Sequence, residues 1–133
     1  MWAALFAGAY VARTALDWLA PTTDFQTRSE VSTALAVAIL LASGFWAAWR
    51  SGSFAAGAVV GLATTAIAAV LSIGGVVLLL AMWHYPSTMT AVRGSGDLGE
   101  SLVLPTFLIV PGVAIAGVGG LVGATAKRLI RAT

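Results

Sequence analysis

One face of an apolar segment near the N-terminus carries four polar side chains. They are Tyr10, Arg13, Thr14 and Asp17. Their spacing places them in one stripe on a helix, with Arg13 and Asp17 four residues apart. Ionisable side chains inside a membrane segment commonly mark a substrate or ion pathway, so the stripe predicts a polar cavity or permeation path. A structural interpretation stays open, in which Asp17 only neutralises Arg13 near the membrane surface.

The chain has a single histidine, His84, at the end of the third apolar segment. An imidazole can ligate a metal or a tetrapyrrole, and Asp97 or Glu100 in the following loop could approach it. No second ligand has the spacing of a metal site, and the chain has no cysteine. The pattern therefore predicts no metal and no cofactor, and leaves His84 as a possible ligand-binding residue.

Residues 94–99 match the pattern GxGxxG. That motif binds phosphates where a strand leads into a helix of a βαβ unit, and no strand is predicted here. The chain also lacks an HExxH motif, a P-loop and a Ser/His/Asp set with a plausible common location. We therefore expect no nucleotide binding and no enzymatic activity.

Composition excludes a water-soluble monomer. Charged residues make up 9% of the 133 residues, against roughly 25% in soluble domains. Hydrophobic residues make up 59%, which leaves too little polar surface to cover a fold in water. The sequence predicts an integral membrane protein of the cell (inner) membrane.

Four apolar segments cover residues of about 1–20, 31–49, 54–85 and 102–126. Each approaches or exceeds the roughly 20 residues that a helix needs to cross the bilayer, and none shows the alternation of barrel strands. We predict one domain over residues 1–133, an all-α, multi-pass bundle of four transmembrane helices. Tryptophans near the segment ends, Trp18 among them, are typical of interfacial belts.

Basic residues predict the orientation. With four crossings, Arg50, Lys127, Arg128 and Arg131 share one side with both termini. Because basic residues concentrate on the cytoplasmic side, both termini are predicted to be cytoplasmic. This bias and attraction to anionic lipid account for the basic tail, so we predict membrane lipid as a partner and no nucleic acid.

Two helices are predicted to deviate from straightness. Pro111 lacks the N–H that would bond the Phe107 carbonyl, so a kink is expected between these residues. Pro105 lies near the predicted first turn of the same helix and should disturb it less. The third segment is longer than the membrane core and is expected to tilt, protrude or bend at Gly74–Gly75.

Small residues recur at intervals of four in every segment, where they permit close helix contact in lipid. The rows are Ala4, Gly8 and Ala12; Ala34, Ala38 and Ala42; Gly57 and Gly61, continued by Thr65 and Ala69; and Gly112, Ala116, Gly120 and Ala124, beside the pair Gly119 and Gly123. The fourth segment is the richest in glycine. It is the first candidate for a central packing helix or an oligomer seam.

Two stretches carry a family resemblance. Residues 44–52 read Gly-Phe-Trp-Ala-Ala-Trp-Arg-Ser-Gly and are followed by Gly57 and Gly61, and the glycine-rich residues 119–123 precede Lys127 and Arg128. Together they resemble uncharacterised small four-helix membrane proteins of bacteria and archaea with a glycine-rich last helix. The resemblance implies this architecture and implies no activity.

These features predict a small non-enzymatic integral membrane protein that assembles through glycine-rich helix faces. One alternative is a homo-oligomeric channel or transporter. Another is an accessory or structural subunit of a larger membrane complex, and a third is a pigment- or haem-binding subunit.

Overall fold

The computed structural model describes residues 1–20, 23–83, 89–90 and 98–132. Within these residues the longer helices are α1, Trp2–Leu19; α2, Phe25–Ser51; α3, Phe54–Met82; α4, Leu98–Phe107; and α5, Ile109–Ala132. Residues 89–90 are also helical, and no described residue is in a strand. The predicted all-α bundle is confirmed at this level.

In the part of the chain that the structure describes, three stretches are long and apolar enough to cross a membrane. They are Gln26–Ser51, Phe54–Met82 and Gly99–Ala132, the last combining most of α4 with α5. The 18 residues of α1 would extend about 27 Å at 1.5 Å per residue, slightly less than the hydrocarbon core. The first helix contains both Arg13 and Asp17 and is not among these three stretches.

The second helix was predicted to begin near Val31, but it begins at Phe25. Asp24 is its N-cap and accepts a hydrogen bond from the Thr27 backbone N–H at 3.2 Å. Such a cap satisfies one of the free N–H groups of the first turn and so extends the helix towards its N-terminus. The extra turns bring polar residues of the predicted loop, among them Arg28, onto α2.

Only two residues, Gly52 and Ser53, connect α2 to α3. Gly52 adopts a left-handed conformation with φ of 79°, and its N–H donates to the Ala48 carbonyl at 2.7 Å. Glycine adopts this conformation without the steric cost of a Cβ. The third helix then runs through Gly74 and Gly75 without interruption.

The third helix packs against α1, α2, α4 and α5, and the last helix packs most extensively on α2 and α3. The first helix lies beside α3 and α2, and α4 lies beside α3. Lys127 near the end of α5 donates to the Arg50 carbonyl at the end of α2, with an Nζ–O distance of 2.7 Å. We call this end of the molecule, which holds Arg50, Lys127, Arg128 and Arg131, the basic end.

Tryptophan placement differs from the prediction at Trp18. This side chain is only 4% exposed and packs with Val76, Leu79 and Leu102. Trp18 is therefore a core residue, and its assignment to an interfacial belt is wrong. Trp46, in contrast, is 54% exposed.

Candidate functional site

Asp17 lies between two arginines. Its carboxylate is 3.6 Å from Arg13 Nε on the same helix and 3.2 Å from Arg28 Nη1 on α2. The side chains of Arg13, Asp17 and Arg28 are 28%, 11% and 23% exposed. Two positive groups share one negative group, so this cluster carries a formal charge of +1.

The two arginines differ in how firmly they are held. Arg28 Nη1 also donates to the Ala20 carbonyl at 3.1 Å, which fixes it at the end of α1. Arg13 Nη2 reaches Ser29 Oγ at 3.4 Å. These two contacts of Arg13, at 3.6 and 3.4 Å, are longer than the 3.2 Å between Arg28 and Asp17, so Arg28 is the closer partner of Asp17.

Tyr10 connects α1 to α4. Its hydroxyl donates to the Ser101 carbonyl oxygen with an O–O distance of 2.9 Å. In a regular helix that carbonyl would accept from residue 105, but Pro105 has no N–H. The Tyr10 hydroxyl therefore supplies the hydrogen bond that Pro105 cannot make. Pro105 is the eighth residue of α4, not a residue of its first turn as predicted.

Thr14 does not extend the polar path. It is buried, and its hydroxyl donates to the Tyr10 carbonyl of its own helix at 3.1 Å. The predicted stripe is thus divided among three environments: Arg13 and Asp17 meet α2, Tyr10 meets α4, and Thr14 bonds to the backbone of α1.

A cavity of about 350 Å³ lies between α1, α2 and the α4–α5 segment. Most of its wall is apolar, including Phe6, Leu40, Leu104 and Ile115. Its polar lining side chains are Tyr10, Arg13, Ser32 and Thr33. Arg13 carries the one charge among the described residues of the wall, so the cavity is apolar with a polar and positively charged part.

The interruption between α4 and α5 borders this cavity. The helix breaks at Leu108, within the predicted kink region, and both Leu108 and Pro111 line the cavity. Leu108 N–H still donates to Leu104 at 3.2 Å, and Gly112 N–H to Leu108 at 3.0 Å, so the break is local. Irregular backbone inside a membrane is tolerated where it is buried in protein or lines a cavity.

A groove between α1 and α2 adjoins the cavity. Its wall includes Asp24 and Arg28, near the start of α2. Ala9, Arg13 and Ser32 line both the groove and the cavity. The two spaces therefore border each other at Arg13, towards the end of the molecule opposite the basic end.

The predicted packing residues lie inside the bundle. All seven are buried: Gly57, Gly61, Gly112, Ala116, Gly119, Gly120 and Gly123. A Cβ built on Gly57 would lie 2.6 Å from the Gly120 Cα, and one on Gly123 would lie 2.5 Å from the Phe45 carbonyl oxygen. One built on Gly119 would overlap the Leu41 carbonyl. These glycines bring α5 into backbone contact with α2 and α3, so their faces are already covered within the chain.

The alanine-rich rows of α1 and α2 have a different environment. Ala4, Gly8, Ala12, Ala34, Ala38 and Ala42 are all exposed. Apart from its chain neighbours and the backbone of its own helix, a Cβ built on Gly8 would meet no described atom within 4 Å. On α2 the packing face instead contains Leu40, Ser43, Gly44 and Ala48, which are buried.

His84, Asp97 and residues 94–96 of the glycine-rich motif lie outside the described residues. Glu100 is described and exposed. Among residues 1–20, 23–83, 89–90 and 98–132, no group of three or more His, Asp or Glu side chains is arranged to hold a metal ion.

No protein-family model, curated protein or solved structure matches the chain. The resemblance of residues 44–52 and 119–123 to small four-helix membrane proteins therefore stays a prediction.

Arg28, Ser29 and Ser32 were not predicted as members of the site. With the second helix expected to start near Val31, Arg28 and Ser29 fell in the preceding loop. Asp24 was the available signal, since aspartate is a favoured N-cap residue. A helix starting at Phe25 places Arg28, Ser29 and Ser32 on its first turns, with 28 and 32 four residues apart on one face.

Proposed function

We propose that this chain is a non-enzymatic membrane protein of the transporter class, which binds a small solute in the cavity between α1, α2 and the α4–α5 segment. The observation that carries the proposal is that Arg13, Pro111 and the local interruption at Leu108 border one partly open cavity. Pro111 has no N–H, so the Phe107 carbonyl lacks its helical donor at this interruption. Polar backbone groups at interrupted helices often contribute to solute sites in transporters.

The groove supports the same proposal. Since Ala9, Arg13 and Ser32 belong to both walls, a solute entering between α1 and α2 would pass the Arg13 guanidinium before it reaches the apolar interior. Volumes of roughly 300–1,000 Å³ are typical of ligand pockets, and the cavity is within this range.

The proposed topology has four passes, formed by α1, α2, α3 and the α4–α5 segment, in the cell (inner) membrane. The Lys127–Arg50 contact supports it, because it places the ends of α2 and α5 at the same basic end. The basic residues favour the cytoplasmic side for this end and hence for both termini. A reporter fused after Thr133 is expected to be active only inside the cell; activity outside would contradict this topology.

Single cysteines test access to the cavity, and the native chain contributes no background because it has no cysteine. Ser32→Cys places a thiol where the groove meets the cavity. Ala38→Cys is the matched control, since Ala38 is on the same helix but exposed on the outer surface of the bundle. In right-side-out vesicles, a membrane-impermeant charged thiol reagent should label Ser32→Cys much faster than Ala38→Cys. Equal rates, or no labelling of either variant, would contradict solute access.

An accessory subunit of a larger membrane complex is the second candidate. The exposed row Ala4, Gly8 and Ala12 of α1 supports this candidate. A Cβ built on Gly8 would meet no described atom within 4 Å, apart from its chain neighbours and the backbone of α1. Such a surface allows another helix to approach closely. Extraction in mild detergent should then recover a larger partner, and Gly8→Leu should release it while Gly74→Leu, at another open glycine, should not. Recovery of the chain alone or as a homo-oligomer would contradict this candidate.

A further inference from the structure

We propose that the ligand of the cavity is a single-chain amphiphile with an anionic head group. Its head would lie at Arg13, and its chain would extend along the apolar wall. This inference rests on the proposed solute-binding function and specifies the chemical class of the solute.

The charge of the site argues for an anion. Arg13 is the charged side chain among the described lining residues, and it shares the single carboxylate of Asp17 with Arg28. Asp17 lies closer to Arg28, at 3.2 Å, than to Arg13, at 3.6 Å. The planar guanidinium has five N–H donors and binds carboxylate or phosphate oxygens with two parallel hydrogen bonds. An anionic head at Arg13 would provide the negative charge that the three-residue cluster lacks.

The rest of the wall argues for an apolar chain. Away from Arg13 it consists mainly of aliphatic and aromatic side chains, such as Phe6, Leu40, Leu108 and Ile115. An isolated ion or a polar solute would lose its hydration there without compensating hydrogen bonds. The apolar wall favours a ligand that itself gains by leaving water.

The volume limits the length of that chain. A space of about 350 Å³ is at the lower end of the roughly 300–1,000 Å³ typical of ligand pockets, which favours one short chain over a two-chain lipid. Carboxylates and phosphates with one such chain share the required chemistry.

Photocrosslinking tests the inference directly. The protein is placed in nanodiscs of phosphatidylcholine with a twelve-carbon carboxylic acid that bears a diazirine near its chain end. Irradiation should label peptides that contain Leu40, Leu108 or Ile115. Unlabelled dodecanoate should compete with the probe, whereas dodecyltrimethylammonium and butyrate should compete at least about tenfold more weakly because each lacks one of the two required parts. A parallel competition with lysophosphatidate distinguishes a lipid head group from a free carboxylate as the preferred anion.

Variants assign the two parts of the ligand to the two parts of the cavity. Arg13→Gln should weaken labelling about tenfold or more, because it removes a charge-assisted hydrogen bond, and Arg13→Lys should retain part of it. Ala36→Phe should block labelling by filling the chain region. Arg128→Gln is the matched control: it removes a guanidinium from the exposed basic end and should leave labelling unchanged.

Two results would overturn the inference, and neither depends on whether a variant folds. One is labelling of the wild-type protein spread over its lipid-facing surface. The other is equal competition by dodecanoate and dodecyltrimethylammonium. If either occurs while Ser32→Cys still reacts faster than Ala38→Cys, the cavity takes a different solute and only the ligand class is wrong. If Ser32→Cys is also unreactive, the proposed function fails as well.

Discussion

Two regions of this bundle join helices in opposite ways. In the glycine-packed region, α5 meets α2 and α3 through residues such as Gly57, Gly119 and Gly120, and backbones come into direct contact. In the cavity region, α1 and the α4–α5 segment are held apart by larger side chains, including Phe6 and Leu104, and about 350 Å³ lies between them.

The difference follows from the residue types on each face. In lipid, helices associate through close van der Waals packing and polar contacts, since there is little hydrophobic force between them. The glycine-packed region uses close van der Waals packing. The cavity region relies on directed polar contacts, Asp17 with Arg28 and Tyr10 with Ser101, which connect helices without filling the space between them.

Gly119→Ala should have the largest effect on the glycine-packed region. The added Cβ would overlap the Leu41 carbonyl, so α2 and α5 would have to separate, at an expected cost of about 3 kcal/mol. Gly117→Ala is the matched control on the same helix. A Cβ built on Gly117 would meet no described atom within 4 Å, apart from its chain neighbours and the backbone of its own helix. Gly117→Ala should change the free energy of unfolding by less than about 0.5 kcal/mol. Equal costs in a denaturant titration would remove the distinction between the two faces of α5.

Asp17→Asn should have the next largest effect, on the cavity region. It leaves Arg13 and Arg28 without their shared negative partner. We expect the free energy of unfolding to fall by about 2 kcal/mol, which is less than for a fully buried ion pair because the two arginine side chains are partly exposed. Arg13→Gln should cost less than about 1 kcal/mol, because Arg28 still neutralises Asp17. A larger loss for Arg13→Gln than for Asp17→Asn, measured by unfolding, would show that Arg13 is the principal partner.

Tyr10→Phe should cost about 1 kcal/mol, the usual contribution of one hydrogen bond. The reason is the Ser101 carbonyl, which Pro105 leaves without a helical donor. Pro105→Ala restores an N–H at that position, so in this background Tyr10→Phe should cost close to nothing. A double-mutant cycle measures this coupling. The same cost in both backgrounds would mean that the two groups act independently.

Ser72→Ala should have the smallest effect. The Ser72 hydroxyl is buried in α3 and has no hydrogen-bond partner among the described residues. Its removal should leave stability unchanged or raise it by up to about 1 kcal/mol. Ser43→Ala is the contrast, since that equally buried hydroxyl donates to the Leu40 carbonyl at 2.8 Å, and its loss should cost about 0.5–1 kcal/mol. Destabilisation by Ser72→Ala equal to that by Ser43→Ala would indicate that Ser72 has a partner.

The parts of this structure that follow from local chemistry could be predicted from the sequence. Long apolar runs predicted helices, and Pro111 predicted the interruption that lies at Leu108, because each depends on the backbone within a few residues. The rows in α3 and α5 are at helix contacts. In contrast, the row of Ala34, Ala38 and Ala42 is exposed. A helix rich in small residues has several such rows, and only the position of the neighbouring helices decides which one is used.

The site itself was only half predictable. The spacing of Arg13 and Asp17 indicated their pairing, but Arg28 belongs to another helix whose start depends on the Asp24 cap. The Tyr10–Ser101 contact joins residues 91 positions apart, and no local pattern indicates it. Trp18 was assigned to the membrane surface because it closes a segment, yet packing against Val76 determines its environment.

The connection at Gly52 and Ser53 also bears on how the protein is made. With two residues between them, α2 and α3 cannot enter the bilayer far apart in time or space, so they should insert as a hairpin during synthesis. Their contact face for the last helix, at Gly44, Gly57 and Gly61, would then exist before α5 leaves the ribosome. The final helix would then pack against a surface that is already formed, and Lys127 would form its hydrogen bond with the Arg50 carbonyl.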